Sequence, residues 1–249
     1  MRLTDLLDNL VPISVDAATT YISGLAVNSL QVKKGDLFFA LPGTAHDGRD
    51  FIDDAIKRGA VAIVTDERPL SAKQAMSIPV LLTTNPRRVM AKAAARFWPQ
   101  QPGLIGAVTG TNGKTSTVDF MRQIWARVTW SSISIGTIGM RGDSINKPDT
   151  PVADIAQLTT PDSLNLHASI AAAAKQGVTH LALEASSHGL QQHRLDGLNI
   201  HVAGFTNLSR DHLDHHQNMD EYFAAKLRLF EDLLIEGGAA IINIDDAYG

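Results

Sequence analysis

Cysteine is absent from these 249 residues. Disulfides and zinc–thiolate centres are therefore excluded. No apolar run approaches the roughly 18 residues that a membrane-crossing helix needs. The first segment, Met1-Arg-Leu-Thr-Asp-Leu-Leu-Asp, breaks its apolar residues with Asp and lacks the apolar core of a secretory signal. Basic blocks are missing too, and the net charge of −4 gives no reason to expect a nucleic-acid partner. What is present, 44% hydrophobic and 19% charged residues, fits a globular protein of one large or two ordinary domains. A cytoplasmic enzyme with no membrane insertion is expected.

The most informative stretch is Val108-Thr-Gly-Thr-Asn-Gly-Lys-Thr-Ser116. An apolar run from Leu104 to Val108 reads as a buried strand, and a helical pattern follows from about Thr115 to Val128. A strand, a glycine-rich turn and a helix form a phosphate cradle. Gly110 and Gly113 let the backbone come close to an anion, and the N–H groups at the helix start point at it. Lys114 adds a charge for the β/γ-phosphates, and Thr115 or Ser116 offers a hydroxyl to magnesium. The first glycine of the general P-loop pattern would fall at position 108, which is valine. ATP or GTP binding is the expectation; a glycine-containing turn that binds nothing is the bland alternative.

The first hundred residues alternate strand and helix. Strands are expected at Asp36 to Leu41, Ala60 to Thr65 and Pro79 to Thr83, with a short helix from Asp50 to Arg58 closed by Gly59. Asn85 is placed to cap a helix with Pro86 at its first position, running to Trp98. A partly parallel sheet follows from that alternation. Asn28-Ser29 and Thr44-Ala45-His46-Asp47-Gly48 are polar loop residues that could contact a ligand, or simply build turns. Pro99-Gln-Gln-Pro-Gly103 reads as a linker and domain boundary.

After the P-loop, Ser131 to Gly136 reads as a strand and Gly139 to Asp154 as a long loop. Thr160 is placed to cap a helix begun by Pro161 and stopped by Gly177; two adjacent hydroxyls at a helix start also suit an anion. Val178 to Leu183 is the next strand, and Glu184 at its end suits magnesium, or is a solvated strand-end acid. Polar clusters at Ala185 to Gly189 and Gln191 to Arg194 read as a loop for an anionic substrate. A strand at Val202 to Thr206 leads to His212, Asp214, His215 and His216, where one histidine beside magnesium or phosphate is favoured over a transition-metal site. A last helix, Met219 to Glu236, carries a stripe of Phe223, Leu227, Phe230, Leu233 and Leu234, with Lys226 inside it. Lys226 either snorkels to water or has a lowered pKa. A final strand is expected at Ala239 to Ile244.

GTNGKTS at 110–116, TTPD at 159–162, EASSHGLQQHR at 184–194, NLSRDHLDHH at 207–216 and the downstream Lys226 together resemble the Mur ligase family. Within it they resemble the type that adds the diamino acid of peptidoglycan precursors. The resemblance extends back through GDLFFALPG at 35–43 and HDGRDF at 46–51, and the short P-loop is the form this family uses. It implies an α/β chain: a small UDP-binding domain over 1–99, then a P-loop NTPase-like central domain with a mostly parallel sheet over 103–249. A third domain carrying the amino-acid pocket would be absent, and the chain would be a fragment without full turnover.

The resemblance also implies residue roles. Gly110, Thr111, Asn112, Gly113, Lys114, Thr115 and Ser116 would bind ATP. Thr115 or Ser116, Glu184, His212 and Lys226 would serve Mg²⁺, with Lys226 carboxylated by CO₂ and, with Lys114, catalytic. Val27, Ser29, Thr44, Ala45 and His46 would line a uridine pocket; Thr159, Thr160, Ser186, Gln192 and Arg194 would hold the UDP-muramoyl-peptide. The family often has Asp-Ser-Arg where Asn28-Ser29-Leu30 stands. The implied partners are UDP-N-acetylmuramoyl-L-alanyl-D-glutamate and, in a full-length enzyme, a diamino acid, meso-diaminopimelate or L-lysine, with the protein a monomer. ATP would phosphorylate the D-glutamyl carboxylate, and the incoming amine would displace the acyl phosphate. The competing readings are a folylpolyglutamate-type ligase, whose P-loop typically has Gly where Thr115 stands, a generic P-loop kinase, and a non-catalytic nucleotide-binding module.

Overall fold

The computed structural model describes residues 1–43, 46–69, 78–142, 159–209 and 218–249. The chain divides into two compact units, Met1–Phe97 and Trp98–Gly249.

In the first unit, short apolar runs become parallel strands: β1 (Gly24–Ala26), β2 (Asp36–Ala40), β3 (Ala62–Thr65) and β4 (Val80–Leu82). They lie in that order, and every pairing is parallel. The strand that the sequence marked most clearly, β2, is buried along its whole length, as a parallel strand covered on both faces must be. The helices are α1 (Leu3–Leu7), α2 (Ile52–Arg58) and α3 (Pro86–Phe97). Arg88 N donates to Asn85 Oδ1 at 3.0 Å, so Asn85 caps α3.

The second unit holds β5 (Leu104–Thr109), α4 (Lys114–Arg127), β6 (Ser132–Gly136), β7 (Gly139–Arg141), α5 (Ser163–Lys175), β8 (His180–Glu184), α6 (Ser187–Gln191), β9 (Ile200–Phe205), α7 (Met219–Arg228) and β10 (Leu234–Ile242). The sheet order is β10-β9-β5-β8-β6-β7, parallel except for β7, which pairs antiparallel with β6. Its core packs Ile105, Ile133, Leu181, Leu183 and Ile200, all fully buried, against Leu166 and Ile170 of α5. Each such side chain contributes about 1.5–3 kcal/mol by leaving water. The chain goes from β5 to one side of the sheet and later returns to the other side at β9. That reversal opens a crevice beyond the carboxyl end of β5, where open α/β sheets take their ligands.

Several elements differ from expectation. Residues 139–141 form a strand instead of the start of a loop, and the rest of the expected 139–154 loop lies outside the described residues from 143 on. The polar 186–194 stretch is in part a helix, α6, capped by Ser186, whose Oγ accepts from Gly189 N. Thr160 does not cap α5. Asp162 does, its Oδ1 accepting from Leu164 N (3.0 Å) and Asn165 N (3.1 Å), because a carboxylate serves both orphan donors and complements the helix dipole. Asp162→Ala should lower stability by about 1 kcal/mol, read as a reduced urea midpoint; an unchanged midpoint would show that the cap is dispensable. The last helix stops at Arg228, passes through a π-helical turn (Leu229–Leu233) and becomes β10, which starts earlier than expected. No helix among the described residues is long and apolar enough to cross a membrane.

Candidate functional site: a preformed phosphate loop at the end of the central strand

β5 ends at Thr109 and the chain turns through Gly110–Gly113 into α4. Thr206 and Asn207, just past the neighbouring β9, hold the turn. Thr111 N donates to Asn207 O (2.8 Å) and Asn112 N to Asn207 Oδ1 (3.0 Å), while Thr206 Oγ1 and Asn207 Nδ2 both donate to Asn112 O, at 2.7 and 3.2 Å. The Thr111 hydroxyl is turned inward, accepting from Ser209 N (3.0 Å) and lying 3.2 Å from the Tyr222 hydroxyl. The loop is thus shaped by its own protein contacts. Gly113 is the N-cap of α4 and supplies no side-chain bond to its first turn. Backbone donors left without a side-chain cap at a helix start suit an anion. Lys114 Nζ folds over the loop, donating to Gly110 O (3.0 Å) and Thr111 O (2.8 Å).

Lys226 comes from α7 and meets the same carbonyl: its Nζ donates to Gly110 O at 2.8 Å and lies 4.3 Å from the Tyr222 ring centroid. It is 2% exposed, so the snorkelling alternative fails. The reason lies in the phase of the helix. Its buried positions are Tyr222, Ala225, Lys226, Leu229 and Leu233, with Phe223, Leu227 and Phe230 displaced to a half-buried flank. Lys226 stands at the centre of the buried face. Burial, and then the Lys114 ammonium, push its pKa down from 10.5 to about 7. The nearby ring favours the charged form, but desolvation outweighs it.

Glu184 ends β8, alongside Val108 of β5, and is 1% exposed. Around it the structure gathers the hydroxyls and the cation expected to hold an anionic substrate. Thr160 Oγ1 donates to Glu184 O (2.9 Å), accepts from Ser186 N (3.1 Å) and lies 3.0 Å from Ser186 Oγ. Arg194 Nη1 donates to Thr160 O, and its Nη2 to Gln192 Oε1 at 2.8 Å. Arg228 of α7 ties this corner to the helix of Lys226, donating to Leu190 O and to buried Asp196 (3.2 Å). Burial alone would raise the Asp196 carboxyl, yet His193 and Arg228 hold it below the usual carboxylate range. The donor set beside the P-loop is a buried carboxylate with the Thr115 and Ser116 hydroxyls at the start of the adjoining helix. Hard oxygen donors of that kind suit Mg²⁺. Among the described residues no group of three or more His, Asp or Glu side chains gathers as a metal cluster.

In the first unit a cavity of about 600 Å³ is lined by Val27, Ser29 and His46 among others, a size suited to a small organic ligand. Phe38, Phe51 and Arg87 also line it. Arg87 Nη2 donates to Pro42 O at 2.7 Å, and burial lowers its pKa.

Residues 108–249 match the Mur ligase middle domain, and residues 21–98 match the Mur ligase family, catalytic domain. The chain belongs to the Mur ligase family. It is 51% identical over 98% of its length to the UDP-N-acetylmuramoyl-L-alanyl-D-glutamate–2,6-diaminopimelate ligase of Bradyrhizobium diazoefficiens, covering 48% of that protein. Its identity to the ligase of the same name from Caulobacter vibrioides is 46%, with the same coverages. A solved structure of a UDP-N-acetylmuramoyl-L-alanyl-D-glutamate–2,6-diaminopimelate ligase superposes with a TM-score of 0.82 at 31% identity, over 100% of this chain and 48% of the other. A MurF ligase from Thermotoga maritima, solved in complex with ADP, shares the fold (TM-score 0.56, 21% identity, 91% of this chain and 46% of the other). The chain spans about half the length of the curated relatives it matches.

In this Mur ligase chain, Thr44, Ala45 and His212 lie outside the described residues, as do Asp214, His215 and His216. Residues at the two sites that were not singled out from the sequence include Arg87, Asp196, Thr206, Asn207, Tyr222 and Arg228. Of these, Asn207 alone had a signal, as the first residue of NLSRDHLDHH.

Proposed function

We propose that this chain supplies the nucleotide-binding portion of an ATP-dependent amide ligase, one that extends UDP-N-acetylmuramoyl-L-alanyl-D-glutamate with 2,6-diaminopimelate. The observation that carries this reading is the linkage of buried Lys226 to the P-loop carbonyl of Gly110, of buried Glu184 to the neighbouring strand end, and of the Thr160–Ser186–Gln192–Arg194 cluster to Glu184. The names of relatives half-identical to this chain support the same substrate and amine.

On this reading, residues 103–249 bind ATP through Gly110–Ser116, and Lys114 leaves its loop carbonyls to meet the β/γ-phosphates. Thr159, Thr160, Ser186, Gln192 and Arg194 orient the muramoyl-peptide so that its D-glutamyl carboxylate attacks the γ-phosphorus; ADP leaves, and the amine then displaces phosphate from the acyl phosphate. Glu184, Thr115, His212 and Lys226 would hold Mg²⁺, which stabilises charge on the transferring phosphoryl group. Lys226, with its pKa near 7, offers the neutral amine that CO₂ requires: the nitrogen adds to the carbon, a proton leaves, and a carbamate anion replaces a cation. Residues 1–99 take the uridine end in the cavity lined by Val27, Ser29 and His46. The protein acts as a cytoplasmic monomer.

Calorimetric titration tests this. The unaltered chain should bind Mg·ATP and, independently, UDP-N-acetylmuramoyl-L-alanyl-D-glutamate. Lys114→Met should weaken ATP binding about 10- to 100-fold, the loss of charge-assisted bonds, and leave the second ligand unaffected. A chain that binds no ATP sinks the proposal. Binding of ATP without the UDP-sugar would favour a nucleotide-binding module instead.

A further inference from the structure

Thr137 belongs to none of the motifs above, yet it grips both oxygens of the Glu184 carboxylate. Its backbone N donates to Oε1 at 2.9 Å, and its Oγ1 lies 3.2 Å from Oε2. The residue sits in the two-residue turn between β6 and β7, whose antiparallel pairing runs from Gly136↔Gly139 to Ser134↔Arg141. The turn is therefore anchored to the sheet on both sides.

The approach of the carboxylate is possible only because residue 136 is glycine. A Cβ there would stand 2.1 Å from Glu184 Oε1, 2.5 Å from its Cδ and 2.6 Å from its Cγ. At 1% exposure, Glu184 has little water to orient it. A buried carboxylate takes its direction from the donors that meet it. Among the described residues those donors come from one, Thr137.

Thr137 Oγ1 also lies 3.2 Å from Thr159 Oγ1. One hydroxyl carries one proton. The Thr137 hydroxyl is placed to donate to either oxygen, and the carboxylate is the stronger acceptor, so its proton goes to Glu184. Thr159 adjoins Thr160, whose hydroxyl reaches Ser186 and Glu184 O.

We propose that Thr137 is a positioning residue that aims the Glu184 carboxylate at a divalent cation accompanying the nucleotide. This rests on the reading of Glu184 as a ligand of Mg²⁺. The residues that orient a metal-binding carboxylate change metal affinity without touching the metal.

The test uses the 249-residue chain, Mn²⁺ as the paramagnetic substitute for Mg²⁺, and a non-hydrolysable ATP analogue. Mn²⁺ affinity with the analogue present is read by electron paramagnetic resonance, and analogue affinity without metal by calorimetry. Thr137→Val should weaken Mn²⁺ binding about 10-fold, the lower end of what such supporting contacts provide, and leave metal-free analogue binding unchanged. Thr137→Ser, which keeps the hydroxyl, should restore Mn²⁺ affinity to within about twofold. Equal Mn²⁺ affinity in Thr137→Val and the unaltered chain overturns the proposal. So does a Thr137→Ser variant as impaired as Thr137→Val, or a matching loss of metal-free analogue binding, since either marks a packing effect. If the unaltered chain binds the analogue but no Mn²⁺, the reading of Glu184 fails before any substitution is made, and the proposal falls with it.

Discussion

Lys226→Met should raise the stability of the unmodified chain by about 1–4 kcal/mol at neutral pH, the gain typical of replacing buried charge with an apolar side chain of similar volume. Lys226 is 2% exposed, with its ammonium bonded to Gly110 O and set against the charge of Lys114. Its pKa falls from 10.5 to about 7 on folding. Between those values the unfolded chain keeps a proton that the folded chain has released. The unaltered chain therefore gains stability as pH rises through that window, by up to about 1.4 kcal/mol per pH unit from this group. Below pH about 7 both states are charged and the penalty is complete. The advantage of Lys226→Met should accordingly shrink between pH 7 and 10 in CO₂-free buffer, measured as the difference between two urea-unfolding free energies. Parallel pH profiles for the two proteins would refute the buried-cation account. Adding ¹³C-bicarbonate supplies the complementary readout. A carbamate resonance should appear in the unaltered chain and not in Lys226→Met, and the stability gap should narrow as the cation becomes an anion beside Lys114.

That a lysine costing several kcal/mol stands at the centre of a buried helical face argues for use over packing. The sequence made the anomaly visible but misjudged its phase. Phe223, Leu227 and Phe230 dominate any apolar count, whereas the buried face is built from Tyr222, Ala225 and Leu229 around Lys226. Tyr222 meets the loop through its hydroxyl, 3.2 Å from Thr111 Oγ1, which hydrophobicity does not measure. The parallel strands were legible for the opposite reason: burial on both faces makes them largely apolar runs, as in Leu104–Thr109 and Ala62–Thr65. Thr160 shows where local rules end. Its position before Pro161 satisfies the grammar of a cap, but its hydroxyl is committed to Glu184 O, 24 residues away, and Asp162 takes the cap instead. Thr137 and Asn207 were illegible as partners because their roles exist only once β6 lies beside β8 and β9 beside β5. The early end of the last helix escaped notice because Leu233 and Leu234 continue the helical period while already belonging to a π-turn and a strand.

Gly110→Ala should abolish measurable nucleotide binding, whereas Gly113→Ala should only weaken it. Both glycines have positive φ, but their surroundings differ. Gly110 sits at φ +145°, far from the left-handed well near +57° that other residues can occupy at a cost. A methyl group there would stand 1.9 Å from Thr206 Oγ1 and 3.1 Å from the backbone N and O of Asn207. Those atoms cannot yield cheaply, because Thr206 and Asn207 are the clamp that shapes the loop through Asn112 and Thr111. Relieving the clash means moving the loop off β9, and with it the Gly110 carbonyl that receives both Lys114 and Lys226. Gly113 sits at φ +84°, and an added methyl would find its nearest neighbour, Thr206 Cγ2, at 3.9 Å, which is ordinary contact. Its cost is backbone strain alone, about 1–2 kcal/mol. Even if all of that strain fell on the bound state, affinity would drop about 5- to 30-fold. Calorimetry with Mg·ATP on the two variants separates the cases. Comparable affinities for Gly110→Ala and Gly113→Ala would mean that the contact with Thr206 and Asn207 does not govern the loop, and that backbone conformation by itself accounts for both glycines.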